Sequence, residues 1–184
     1  MFRFLIFFFI LNFYNPVFSS IKEKIISQIQ LTNNLSFNFI QTINDKNENG
    51  RCTIQYPKKI WCKYNNFNKK IIVSNGKSLV IKTANNNNNY RYSLSKTPLI
   101  FLLDKRYLIS KIKMLEPREI DNKFINFEIL ENNNKINIFF DKKNLNLIGW
   151  QTEDIYRNLV ITLISSVKIN QKINDKIFIL PLNN

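Results

Sequence analysis

The chain has 184 residues, a formal net charge of +14 from 27 Lys and Arg against 13 Asp and Glu, no histidine and 3 glycines. The missing histidine removes Ser-His and Cys-His nucleophile systems and the commonest zinc sites, and three scattered glycines leave no phosphate-cradling loop. Nothing in the pattern brings two carboxylates together, so composition favours a binding protein that needs no cofactor over an enzyme.

The first residues follow the plan of an export signal. Arg3 supplies a positive start, Phe4 to Leu11 form an unbroken apolar run, Asn15-Pro16 breaks it, and Val17-Phe18-Ser19 makes a cleavage site. The run is shorter than the roughly 20 apolar residues a membrane span needs. The expectation is cleavage after Ser19, a soluble exported product, and one domain over residues 20–184.

From Ile21 to Leu31, Ile21, Ile25 and Ile29 recur at helical spacing opposite Lys22, Glu23 and Lys24, which predicts a short amphipathic helix. Leu35 to Gln41 alternates apolar and polar residues and predicts a first strand. Asn44 to Gly50 is polar and predicts a turn. Gly50 to Thr83 then reads as four strands in series, with turn signals at Pro57, Asn65-Asn66 and Asn75-Gly76. Asn-Gly between two β-branched runs is the sequence of a type I′ hairpin, whose central residues both need φ > 0. Cys52 and Cys62 flank the Pro57 turn symmetrically and share a strand face with Ile54, Tyr56, Ile60 and Tyr64. In an oxidising compartment they are expected to form a disulfide.

The asparagines 85–89 predict a loop tip, and Tyr90 to Leu94 another strand. Thr97 as N-cap and Pro98 at the first helical position predict a helix to about Asp104, continued by a turn or helix over Arg106 to Lys111. Strands return at Phe124–Leu130, Ile136–Phe140, Leu145–Glu153, Leu159–Val167 and Lys176–Leu180, with a turn at 132–134. The fold class is therefore mainly β with a helical lid: an unclosed, strongly curved antiparallel barrel of about ten or eleven strands covered by short helices. The lysines fall in pairs at turns and strand ends (Lys58-Lys59, Lys69-Lys70, Lys142-Lys143) with no basic helix. That is a solvated basic surface and not a nucleic-acid site.

Several motifs, in order over nearly the whole mature chain, resemble the LolA family of periplasmic outer-membrane lipoprotein carriers, in its alphaproteobacterial type. They are Phe37-x-Phe39-x-Gln41, Gly50-Arg51 through Tyr56-Pro57 to Tyr64, Val73-Ser-Asn-Gly-Lys77, Pro98-Leu99 with Leu102-Leu103, Leu145 to Trp150 with Asp154, and Phe178 to Pro181. The resemblance implies a monomeric chaperone whose apolar cavity takes lipoprotein acyl chains, with Ile54, Tyr56, Ile60, Leu99, Leu102 and Leu103 as cargo contacts. It also implies two partners: an inner-membrane ABC transporter that loads the carrier, and an outer-membrane acceptor of the LolB kind, or the membrane itself, that unloads it. The family's Arg-Pro is Tyr56-Pro57 here. That arginine bonds the lid when closed, whereas tyrosine offers one hydroxyl. Arg51 and Arg91 are the nearest replacements, and closure is expected to rest mainly on apolar contact, less on charge-assisted hydrogen bonds, and to depend little on salt. The alternatives are a carrier or sensor of another lipid, a structural exported β-protein with a dry core, and an exported enzyme using carboxylates.

Overall fold

The computed structural model describes residues 20–66, 69–83, 86–131, 133–154 and 157–181. The predicted export segment 1–19 lies outside the described residues, as do Asn85 of the asparagine run, Asn132 of the later turn and the last three residues of the predicted domain.

Helix α1 spans Ile21–Leu31, the predicted limits, and the start has a chemical cause. Ser20 accepts from the Glu23 backbone N–H while the Glu23 carboxylate accepts from the Ser20 N–H, a capping box that satisfies two orphan donors reciprocally. Ile25, Ile26 and Ile29 form its buried face. Strand β1 (Asn34–Ile43) and β2 (Lys46–Gln55) follow. The polar stretch 44–50 is thus mostly strand. Only Asn44 and Asp45 turn, both with positive φ, and Ile43 pairs with Lys46. A half-solvated hairpin needs backbone pairing and not apolar side chains, so its tip carries no apolar signature.

Strands β3 (Lys59–Tyr64), β4 (Ile71–Asn75), β5 (Ser78–Thr83) and β6 (Asn86–Ser93) complete an antiparallel meander. The Asn75-Gly76 hairpin is not type I′. Gly76 alone has positive φ (+97°), and the Asn75 side chain accepts from the Lys77 and Ser78 N–H groups at 3.0 Å. Asparagines 86–89, expected in a loop, belong to the edge strand β6, with Asn89 opposite Lys82 and Asn86 opposite Thr83 across a register shift.

A 3₁₀ turn (Leu94–Lys96) leads to α2 (Leu99–Leu103) and α3 (Lys105–Met114). Thr97 does not cap α2; its hydroxyl donates back to the Leu94 carbonyl, and Pro98 holds the cap position. The chain then forms β7 (Arg118–Ile120), β8 (Phe124–Glu131), β9 (Asn134–Asp141), β10 (Leu147–Glu153) and β11 (Leu159–Ile169). Strand β7, three residues long, has no counterpart among the predicted strands. The expected last strand, Lys176–Leu180, is a 3₁₀ turn over Asp175–Phe178. Asn174 caps it, and the turn sits against β3 and β4, with Lys59 reaching the Asp175 carboxylate (3.7 Å) and the Phe178 ring (5.6 Å).

All described strands lie in one sheet of order β6-β5-β4-β3-β2-β1-β11-β10-β9-β8-β7. Two meanders meet at the β1–β11 pair, the end strands β6 and β7 do not join, and the curled sheet stays open as expected. The three helices lie on its inner side. One core holds α1 (Ile25, Ile29), α2 (Leu102, Leu103) and α3 (Leu108, Ile112) together with inward residues of both meanders, among them Phe37, Ile54, Phe127 and Ile138.

Candidate functional site

The β1-centred half of the inner face is not filled by this core. Between β1–β5, β10, β11 and the segment from Tyr92 to Leu99 lies a cavity of about 450 Å³. Its walls follow from strand alternation: on β1 the inward residues from the mouth downward are Ile43, Gln41 and Phe39, each pair about 7 Å apart. Gly50 sits opposite Phe39 and Tyr64 on the two neighbouring strands. A Cβ there would meet the Lys63 carbonyl oxygen at 2.2 Å and Phe39 Cε1 at 2.9 Å. Without one, Phe39 and Tyr64 stack edge-on, ring centroids 4.8 Å apart, and form a rigid wall. Cys52 and Cys62 are direct cross-strand partners, 4.1 Å apart at Cα, joined by a disulfide that also lines the cavity.

Near the mouth the wall turns polar. The Tyr64 hydroxyl donates to Gln41 Oε1 (3.0 Å), and Gln41 Nε2 donates to Thr162 Oγ1 (3.1 Å). Lys70 pairs with Glu48 and lies over the Tyr64 ring, 3.9 Å from its centroid. Burial first, and then the Glu48 charge, push the Tyr64 phenol well above its usual range, so it remains a neutral donor.

The predicted contact residues separate. Ile60 and Leu99 line the cavity. Ile54, Leu102 and Leu103 are buried in the packed core and are not on its wall. Tyr56 lines a second, much smaller hollow, of about 50 Å³, with Ile29, Leu35 and Leu108. Burial pushes its phenol up to about 12, and Lys105 lies 5.5 Å from its ring centroid.

The lid is tied by Lys58, whose sequence signal is only that of the Pro57 turn. The Lys58 backbone N–H donates to the Leu103 carbonyl (2.9 Å), and its ammonium pairs with Asp104 Oδ2 at 3.0 Å. Asp104 lies between α2 and α3 and caps α3 by accepting from the Tyr107 N–H (3.2 Å). Burial alone would raise the Asp104 carboxyl; the hydrogen bond from Lys58, the Tyr107 and Arg106 N–H groups and the Lys58 charge outweigh it and hold the group below its ordinary value. The proposed replacements do not reach the lid. Arg51 stacks on Trp61 (5.6 Å), and Arg91 is exposed on the edge strand. Closure therefore includes a charge-assisted contact, made by Lys58 and not by either arginine, beside the apolar contact expected to carry most of it.

The family model for the outer membrane lipoprotein carrier protein LolA matches residues 30–180. No curated protein matches the chain in sequence. Among solved structures, the LolA superfamily protein NE2245 from Nitrosomonas europaea aligns at 11% identity and a TM-score of 0.49, covering 88% of this chain and 99% of its own. A DUF1329 family protein from Desulfovibrio piger aligns at 8% and 0.45, covering 86% and 94%, and MucB at 6% and 0.47, covering 88% and 62%. With the family model spanning the greater part of its length, the chain belongs to the LolA family of outer membrane lipoprotein carrier proteins.

Proposed function

We propose that the mature chain, freed of residues 1–19 on export, is a periplasmic chaperone that takes lipoprotein acyl chains into the cavity beneath α2 and carries them from the inner to the outer membrane. The observation that carries this reading is the lidded cavity of about 450 Å³, walled by Phe39, Ile60, Leu79, Leu99 and Trp150, in a chain of the LolA family. At about 0.8 kcal/mol per buried CH₂, a long acyl chain holds to a membrane by on the order of 10 kcal/mol. Crossing an aqueous space then requires an apolar enclosure, and no nucleotide or metal on the carrier itself. Loading by an inner-membrane ABC transporter and delivery to a LolB-like acceptor, or to the membrane directly, complete the cycle.

The test is release of a labelled lipoprotein from inner-membrane vesicles bearing the transporter. Added mature protein should bring the lipoprotein into the soluble fraction as a complex, and acyl species should co-purify by mass spectrometry. A soluble fraction free of lipoprotein, with no acyl species on the purified protein, would overturn the reading.

A further inference from the structure

Three side chains on the cavity wall hold hydrogen-bond donors with no acceptor among the described residues. Gln41, Thr162 and Trp150 form one cross-strand row, Gln41 opposite Thr162 on β1–β11 and Thr162 opposite Trp150 on β11–β10, and all three line the cavity. The Gln41 amide carries two N–H groups and spends one on Thr162. Thr162 accepts that bond, while its own O–H has no acceptor among the described residues. The Trp150 indole N–H likewise has none, although the residue is only 7% exposed. None of these three groups is sealed from solvent without a partner, so on the cavity wall an incoming ligand oxygen can take the place of water as their acceptor. An arrangement of this kind, repeated on three adjacent strands, is shaped for an acceptor brought by the ligand.

The row also lies at a particular depth. Ile43 stands above Gln41 toward the mouth, and Phe39 lies about 7 Å below it. Apolar wall continues downward through Ile60 and the Cys52–Cys62 disulfide. The three donors are neutral groups, so they suit a neutral oxygen better than an anion. In an amphiphile whose tail occupies the lower cavity, the group at this level is the first carbonyl of the chain.

We infer that Gln41, Thr162 and Trp150 form a carbonyl-binding row that selects acyl chains linked through an ester or amide over plain hydrocarbon or ether-linked chains. This rests on the carrier reading above and names the chemistry that the same site recognises. Gln41 is then a specificity residue held in place from behind, because the buried Tyr64 hydroxyl fixes the orientation of its amide.

The experiment compares two probes of equal chain length, 1-palmitoylglycerol and 1-hexadecylglycerol, binding to the delipidated mature protein. Wild type should bind the ester about tenfold tighter, the worth of one to two net hydrogen bonds. In Gln41→Leu, Thr162→Val and Trp150→Phe the ester-to-ether ratio should fall toward one, with ether binding reporting that the cavity is intact. Tyr64→Phe should lower the ratio partway, because it frees the amide to turn. Equal binding of the two probes by wild type, or an unchanged ratio in all three row variants, overturns the inference and leaves the carrier reading standing. Binding of neither probe overturns both.

Discussion

Lys58 concentrates two lid contacts in one residue, through its main chain and its ammonium. Its side chain is 39% exposed and that of Asp104 25%, so solvent screens the ion pair and it contributes about 0.2–1 kcal/mol. That is small against global stability and large for a lid, where 1.4 kcal/mol is about tenfold in the open population. Lys58→Met keeps the backbone bond to Leu103 and removes the charge. Amide exchange over residues 99–114 should then quicken by about two- to fivefold while the sheet is unaffected; unchanged exchange would show that the pair holds nothing. The pH dependence has a definite sign. The Asp104 carboxyl is held below its ordinary value when folded, so its contribution is fully present above the ordinary Asp range near about 3.9 and is lost as pH falls through the folded value. The protection of the lid amides, taken relative to their intrinsic exchange at each pH, should fall on acidification in wild type and lose this dependence in Asp104→Asn.

The β2–β3 hairpin joins structure and site, because its disulfide is both a cross-link and a piece of cavity wall. With a sequence separation of 10, the closed loop is short, and removing the bond by Cys52→Ala with Cys62→Ala should cost about 2–3 kcal/mol. In a chain of this size that lowers the melting temperature by about 4–12 °C; a drop under about 1 °C would mean the hairpin is held by its neighbours alone. This pairing was legible because strand alternation puts both cysteines on one face at equal distances from the turn. The same logic located α1, β1, β3, β4, β5 and the strands after Phe124, wherever one face is buried and the other wet. It failed where pairing carries no side-chain signature: in Lys46–Gly50, Asn86–Asn89 and β7. It failed in the opposite sense at Lys176–Leu180, whose apolar residues lie on the outside of the sheet as a capped turn. In the site, alternation placed Ile60 on the inner face. It could not tell wall from packed core for Ile54, Leu102 and Leu103, because that depends on how tightly the sheet curls. Lys58 was invisible as a tie, since only the tertiary fold brings the Pro57 turn beside the end of α2.

Seen whole, the molecule is an open sheet with one half filled by helices and the other left hollow, and the boundary between the two is the lid. A closed barrel of similar strand number would have fixed its interior; an unclosed one, with β6 and β7 unjoined, can change its volume by moving the helices without breaking a strand pair. The half-open cavity of about 450 Å³ lies toward the lower end of small-ligand pockets, about 300–1,000 Å³, a size that suits one long acyl chain. A cargo with two or more chains requires α2 and α3 to shift away from the sheet, which breaks the Lys58 contacts with Leu103 and Asp104 and exposes part of the shared core. Entry of a two-chain lipid should therefore be gated by the lid, while a one-chain lipid enters the cavity as it stands. Stopped-flow binding of fluorescent one-chain and two-chain lipids separates these cases. In wild type the two-chain probe should bind more slowly, by about tenfold or more, and Lys58→Met should accelerate it by the same factor by which it increases lid opening. The one-chain rate should change by less than about twofold. Equal acceleration of both probes would mean that the lid controls all access, and that the hollow is reached only from the open state.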